Sequence, residues 1–388
     1  FYLINTAEPH SISPRCAKNF CATAVEQSML LSERLILSKK VAKLVWRRRL
    51  YRNNPVLRNP LRLYKLLSAN PLKRTHPIAL QVEITSRCNL SCTYCIHHKM
   101  VENNKPIGDM PMERFIEILD RHKATLQVLH IQGQGEPFLH PQFKDMIAEA
   151  KRRKLMLLAF SNGTQWTPEN RRMILESGFD LLYLSFDLQS KEKLEHNRRG
   201  MSYDEVVENF QNMVKERDAG RYPTILALHS VVYRSDLHEL HSRLMDLDQL
   251  MKPDVIVPTA LAMPGAGEMD YSQWYERDGL DKERVYELPR MVSYSKDTHA
   301  LCISNRDFYS RESCNTCSKA NFVYYRWEGS TSFCGERHTV DCGDPVEAVR
   351  TATRQMKQGI VPEACRLCQY LPPALFKTTL DENRHELR

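Results

Sequence analysis

The stretch Cys88-Asn89-Leu90-Ser91-Cys92-Thr93-Tyr94-Cys95 decides how this chain is read. Three cysteines stand at C-x3-C-x2-C spacing, just after the alternating run Ile78-Ala79-Leu80-Gln81-Val82-Glu83-Ile84. Alternation with a period of two predicts a strand. A strand that ends in a cysteine-rich loop can present three thiolates from one side to one inorganic centre. Thiolates are soft ligands that suit an iron–sulfur cluster, zinc or copper(I). A structural zinc needs a fourth ligand, and His97 and His98 are close enough in sequence to supply one. Three cysteines with no fourth ligand leave one metal of a four-iron cluster open to a small molecule. Three unrelated core cysteines are the plain alternative.

Outside that stretch, 388 residues are enough for about two domains. An apolar fraction of 42% supplies a sizeable core, and 26% charged residues fit a soluble protein. No apolar run approaches the ~20 residues that span a bilayer. No charged-then-apolar start with a small-residue cleavage site is seen, so a secretory signal is not expected and the compartment expected is cytoplasmic. The chain opens at Phe1 rather than Met, which leaves room for a start upstream. Twelve cysteines in such a chain point to metal rather than disulfides. The net charge of +8 suits an acidic partner without requiring one.

The composition is helical from about residue 23 to 67. Leu30-Leu31, Leu35-Ile36, Val41 and Leu44-Val45 recur at helical spacing. A basic run, Lys39, Lys40, Lys43, Arg47, Arg48, Arg49 and Arg52, accompanies them. It is either a solvated helix face packing on the rest of the fold or a surface for an anionic membrane, nucleic acid or an acidic peptide segment. From Ile78 onward strands and helices alternate, which predicts a parallel sheet of βα units. Strands are expected at Ala79–Thr85, Gln127–Gln132, Met156–Ser161, Leu181–Asp187, Ile225–Val232 and Val255–Ala260. Thr167-Pro168 reads as an N-cap with proline at the first helical position, and Ser202-x-x-Glu205 as a capping box. Asp109 precedes the first helix, expected from Pro111 to Leu119. Polar turns follow the strands: Gly133-Gln134-Gly135-Glu136-Pro137, Ser161-Asn162-Gly163, and Ser185-Phe186-Asp187 with Arg198-Arg199-Gly200 beyond. Glycine lets the backbone approach a ligand and proline stiffens the turn.

At Cys88, Cys92, Tyr94 and Cys95 the chain resembles the radical SAM superfamily, and the likeness runs from residue 79 to about 262. The resemblance implies an α/β fold, a partial (β/α)6 TIM-type barrel with reactive residues at the C-terminal ends of its strands. It implies a [4Fe-4S] cluster on Cys88, Cys92 and Cys95 whose open iron binds S-adenosyl-L-methionine (SAM). Reductive cleavage of SAM then gives methionine and a 5′-deoxyadenosyl radical that abstracts a hydrogen atom. The protein's part is to hold, aim and shield the cofactor. Gly133–Pro137 is similar to the family's G-G-E-P motif, with Gln134 in place of the first glycine. By that match Tyr94, Gln134, Gly135, Glu136, Asn162, Ser185, Asp187 and Arg199 bind cofactor. Glu136 takes the SAM ammonium, Ser185 the ribose and Arg199 the methionine carboxylate, where a bidentate contact suits arginine. Asp187 holds cofactor, substrate or Arg199, and Met263-Pro264-Gly265 shapes the adenine site.

Residues 263–312 lose the alternation, and Tyr271, Trp274 and Tyr275 suggest a cover for the barrel mouth or a packing surface for the last domain. Beyond them lie Cys314-x2-Cys317, Cys334, Cys342 and Cys365-x2-Cys368. Two C-x2-C pairs are a strong metal signal, and a zinc ribbon is one reading. The region resembles the SPASM or twitch auxiliary-cluster domain, with a β-hairpin between Cys317 and Cys334. That resemblance implies one auxiliary [4Fe-4S] cluster on Cys317, Cys334, Cys365 and Cys368. The division expected is a basic helical extension over 1–78, the partial barrel over 79–262, a connecting segment over 263–312 and the small C-terminal auxiliary-cluster domain over 313–388. The activity expected is oxidative modification of a ribosomal peptide or a small-molecule natural product. Alternatives are an epimerase that uses a cysteine hydrogen donor, an RNA-modifying enzyme, and a non-enzymatic iron–sulfur or zinc scaffold. Cys302, outside the metal motif, is the candidate catalytic thiol, and a buried cysteine packing as a small apolar group is the plain reading of it. The partners expected are the substrate and an external electron donor such as flavodoxin or ferredoxin. Peripheral membrane contact through the basic helices is a further option, while nucleic acid is not expected.

Overall fold

Strand periodicity carries directly into the architecture. The computed structural model describes residues 42–44, 46–48, 54, 56, 59, 61, 77–261, 277–280, 298–302, 323–334, 341–362 and 365. Nine strands form one sheet: β1 (Ala79–Val82), β2 (Val128–Ile131), β3 (Met156–Ser161), β4 (Leu181–Ser185), β5 (Ile225–Val232), β6 (Val255–Ala260), β7 (Leu301–Cys302), β8 (Val323–Tyr325) and β9 (Thr331–Ser332). Their order is β7-β6-β5-β4-β3-β2-β1-β8-β9, an open sheet that does not close on itself. Every pairing is parallel except the β8–β9 hairpin. The hairpin expected near the C-terminus therefore exists, but it extends the barrel sheet at β1 instead of standing apart from it.

The helices described in full are α1 (Ile96–Glu102), α2 (Met112–Arg121), α3 (Phe143–Arg152), α4 (Pro168–Glu176), α5 (Lys191–Asn197), α6 (Tyr203–Ala219), α7 (Leu240–Met251) and α8 (Pro345–Lys357). Thr167 caps α4 by accepting from Asn170 N, with Pro168 next, and Ser202 caps α6 by accepting from Glu205 N. Helix α2 starts without a side-chain cap. Asp109 instead accepts from Thr85 Oγ1 at 2.6 Å and Arg87 Nε at 2.9 Å. That contact also explains why β1 stops at Val82: past it the backbone leaves β2 and pairs with residues 108–110, through Met110 N to Ile84 O and the antiparallel bridge Thr85–Asp109. No helix among the described residues is long and apolar enough to cross a membrane.

The two faces of the sheet have different work. On the outer face Leu80, Leu129, Leu157, Leu182 and Leu226 join Phe115, Phe143, Ile174 and Phe210 of the helices in one buried cluster. The inner face is apolar at its N-terminal end. There Leu44 packs with Ile225, Ala227, Val255, Val257 and Leu301, and Val56 with Ala79, Val128 and Met156. Two residues of the N-terminal segment thus floor the barrel, each burial giving roughly 1.5–3 kcal/mol relative to exposure.

Charge locks that floor. Asp254, wholly buried before β6, accepts on Oδ1 from Arg47 Nη2 at 2.7 Å and from Arg48 Nε and Nη2 at 2.8 and 2.6 Å. Its Oδ2 accepts from Arg217 Nη1 at 2.6 Å and Leu226 N at 3.1 Å. Arg48 also reaches Asp218, and Asn54 Nδ2 donates to Asp180 Oδ1 at 2.8 Å. Two members of the basic run are therefore internal partners, as the packing reading of that run requires. Lys39, Lys40, Arg49 and Arg52 lie outside the described residues. Asp254→Ala strands three arginines around an empty position, so it should cost about 3–5 kcal/mol of unfolding free energy. Denaturant unfolding measures this, and an unchanged midpoint would show that the floor is not held this way.

Candidate active site

The cysteine loop is fastened to the ends of four strands and to the chain beyond β4. Ser86 N donates to Gly108 O at 2.9 Å, Glu136 N to Arg87 O at 2.7 Å, Ser91 N to Arg199 O at 3.0 Å and Thr93 N to Asn197 O at 2.8 Å. Asn89 bridges to the turn after β3: its Nδ2 donates to Thr164 Oγ1 at 2.8 Å and its Oδ1 accepts from Asn162 Nδ2 at 2.9 Å. Gly135 makes this possible. A Cβ there would lie 2.3 Å from Thr85 O and 2.7 Å from Arg87 O, so only glycine lets the two backbones cross.

Cys88, Cys92 and Cys95 share this loop as free, partly buried thiols. Burial pushes Cys88 and Cys92 up to about 12 and Cys95 in the same direction, and the thiols raise one another. A cation at the loop is what would favour the thiolates, and a coordinated metal supplies it. The donor set, three thiols on one loop within electrostatic reach of each other, fits a cluster that takes three cysteines. Among the described residues no three His, Cys, Asp or Glu side chains already converge as a metal site. His97, the alternative fourth ligand, is buried with its Nε2 unpaired among the described residues, and His98 pairs with Glu102 at 3.1 Å.

Glu136 is buried in the turn after β2. Its Oε1 accepts from Ser161 Oγ at 2.9 Å and Phe138 N at 3.3 Å, and its Oε2 from Asn162 N at 2.6 Å. Trp166 Nε1 donates to the same Ser161 hydroxyl at 2.9 Å. Burial lifts the Glu136 carboxyl to about 7 against the pull of those donors. Gln134, beside it, is buried as well, and its backbone N donates to Glu83 Oε2 at 2.7 Å.

On the other flank Asp187 is fully buried and bound by Arg198 Nε and Nη2 at 2.9 and 2.8 Å, by Tyr94 Oη at 2.9 Å and by Val231 N at 2.8 Å. The Arg198 guanidinium also sits 5.5 Å from the centre of the Tyr94 ring. This corrects the expectation for Arg199. Arg199 is exposed and offers the loop only its carbonyl; Arg198 is the arginine turned inward, and it, not Arg199, is held by Asp187. Ser185 is half-buried at the end of β4.

Cys302 also differs from its expected place. It is wholly buried in the outer-face cluster, paired in β7 with Ile256 near the start of β6, and its Sγ donates to Thr298 Oγ1 at 3.5 Å. A side chain on the helix side of the sheet, at the end away from the cysteine loop, cannot line the mouth. Of the second cysteine set, Cys334 and Cys365 are buried in that same cluster, and Cys342 packs against it with its Sγ 3.7 Å from Thr331 Oγ1. Cys314, Cys317 and Cys368 lie outside the described residues, as do Met263–Gly265, Tyr271, Trp274 and Tyr275. Sequence reasoning missed Arg198, indistinguishable from its neighbour, and Glu83, whose one signal was an acid on an alternating strand. It also passed over Tyr324, whose hydroxyl donates to Glu83 at 2.8 Å.

Residues 82–230 match the family model described as the radical SAM superfamily. Over 168 residues it is 33% identical to the tungsten-containing aldehyde ferredoxin oxidoreductase cofactor-modifying protein of Pyrococcus furiosus, covering 42% of this chain and 45% of that protein. A PqqA peptide cyclase of Granulibacter bethesdensis is 28% identical over 123 residues, 30% of this chain and 32% of that one. The match thus spans less than half the length of these curated relatives. The solved structure of Streptococcus suis SuiB bound to precursor peptide SuiA shares the fold with a TM-score of 0.52 at 13% identity, covering 77% of this chain and 71% of SuiB.

Two outcomes follow from the geometry. Arg198→Ala leaves Asp187 buried and uncompensated and should cost about 3–5 kcal/mol, while Arg199→Ala should stay within about 0.5 kcal/mol. Equal losses in thermal or denaturant unfolding would contradict the assignment. Burial moves the Glu136 carboxyl from the ordinary 4.5 of a free glutamate to about 7, so the folded chain holds its proton longer than the unfolded one. Stability of the metal-free protein should therefore fall as pH rises across that window. Glu136→Gln should lessen that slope, and an identical pH profile in the variant would refute it.

Proposed function

We propose that this chain is a radical SAM enzyme that modifies a peptide by abstracting a hydrogen atom, with net oxidation of the substrate. The observation that carries the chemistry is the convergence of the β1 to β4 ends on one loop of three thiols, within the stretch that matches the superfamily model. When bound, a [4Fe-4S] cluster on Cys88, Cys92 and Cys95 supplies the electron that splits SAM into methionine and the 5′-deoxyadenosyl radical. The chain's own residues do the rest. Tyr94, clamped by Asp187 and Arg198, fixes the loop on the Cys92 side, and Glu136 fixes it on the Cys88 side. Glu136 Oε2 accepts from Asn162 N and keeps acceptor capacity for an ammonium group. Arg198 spends two of its nitrogens on Asp187 and offers Nη1 to a carboxylate, which suits the methionine end of SAM better than exposed Arg199 does. An auxiliary cluster on Cys317, Cys334, Cys365 and Cys368 would take the second electron.

The peptide part draws on relatives named for it, the PqqA peptide cyclase and SuiB bound to a precursor peptide. The Pyrococcus relative, named as a cofactor-modifying protein, favours a small-molecule substrate instead. The epimerase reading loses support from Cys302, whose outer-face position keeps it from a substrate radical. Anaerobic reconstitution should give about eight irons per chain if both clusters form, and reduction with SAM should yield 5′-deoxyadenosine. Alanine at Cys88, Cys92 and Cys95 together should remove about half the iron and all of that product. Undiminished SAM cleavage by the triple variant would defeat the proposal.

A further inference from the structure

Polar groups gather on the inner face where the C-terminal hairpin meets the barrel. Glu83 Oε2 accepts from Gln134 N at 2.7 Å and from Tyr324 Oη at 2.8 Å. The three residues come from the end of β1, the turn after β2 and β8, and they are 2%, 5% and 0% exposed. The approach is tight, since a Cβ on Gly133 would lie 2.3 Å from Glu83 Cγ. Glu83 also lies within electrostatic reach of the Cys95 thiol, so the group borders the cysteine loop.

Within this group the Gln134 carboxamide is anomalous. Both its Oε1 and its Nε2 are buried with no hydrogen-bond partner among the described residues. A buried amide left unpaired costs the desolvation of each polar atom, and native proteins pair nearly all such groups. One step lower on the same face His130 Nε2 is buried and unpaired too, its ring 5.1 Å from Phe160. Burial beside His229 holds His130 neutral, down to about 3. The surroundings thus provide the Glu83 carboxyl, with the Arg326 guanidinium and Glu328 in electrostatic reach of it, a neutral imidazole and a carboxamide with a donor and an acceptor side by side. A carboxylate ligand, which only accepts, would leave Gln134 Oε1 unpaired, and a bare ammonium would leave Gln134 Nε2 unpaired. The N–H and C=O of one residue in an extended peptide point to the same side and satisfy both carboxamide atoms at once.

We propose that Gln134, held in place by Glu83 and Tyr324, reads the backbone of one extended residue of the substrate, Nε2 donating to that residue's carbonyl and Oε1 accepting from its N–H. This rests on the peptide reading above and moves Gln134 from the cofactor to the substrate. The test uses anaerobically reconstituted full-length protein and the capped peptide N-acetyl-trialanine N-methylamide as probe. Gln134→Met keeps the side-chain length and removes both polar atoms. It should melt a few degrees above the wild type without ligand, because the unpaired atoms are gone. Millimolar probe should raise the melting temperature of the wild type and leave Gln134→Met unmoved. Gln134→Glu, which loses the donor and adds charge next to Glu83, should lose the response as well. A wild type that ignores the probe, or a Gln134→Met protein that melts lower and still responds, overturns the assignment. So does a Gln134→Met protein that loses its response to SAM and keeps that to the probe. The wild-type response to SAM and the formation of 5′-deoxyadenosine are read separately, so failure of the radical SAM reading shows up apart from failure of this one.

Discussion

The crossing of Gly135 over the chain at Thr85 and Arg87 is the contact on which the site depends. Without a Cβ the turn after β2 lies against the first residues of the cysteine loop, and Glu136 N closes on Arg87 O at 2.7 Å. That places the Glu136 carboxylate to collect Asn162 N and Ser161 Oγ, which fixes the turn after β3 in the same frame. Asn89 and Asn162 then complete a ring of contacts between loop and turn. Rigid strand ends hold a loop that would otherwise have only its own few backbone bonds, which is how a metal-binding loop keeps its thiols aimed.

Electrostatics around the thiols is divided by side. Glu136 lies towards Cys88, and the buried Asp187–Arg198 pair lies towards Cys92. A buried pair of this kind is weak evidence for stability, because desolvation offsets most of the attraction. Its value here is geometric, since it fastens Tyr94 by a hydrogen bond and by the face of its ring. At the opposite end of the barrel Asp254 does comparable work, drawing Arg47 and Arg48 over an apolar floor that Leu44 and Val56 complete. One face of the sheet therefore grades from a closed apolar floor to polar groups near the loop, the gradient a barrel needs if chemistry is confined to one end.

What the amino-acid order determined is what depends on near neighbours. The alternating run at β1 and the short apolar runs between helical segments placed all six barrel strands, with Met156–Ser161, Ile225–Val232 and Val255–Ala260 matching to the residue. Thr167 and Ser202 announced their helices because a cap is a bond between residues three apart. The glycines of Gly133–Pro137 were legible as points of close approach, though not what they approach.

Tertiary structure decided whatever rests on direction or on distant partners. Arg198 and Arg199 are equivalent as text, and only the turn at the end of α5 sends the first inward. Cys302 was read without a face; a one-residue change of register moves a strand side chain to the other side of a sheet, and the pairing with Ile256 put it outside. Asp254 meets Arg48 across 206 residues and Glu83 meets Tyr324 across 241, contacts that no local pattern encodes because they form only once the sheet has assembled.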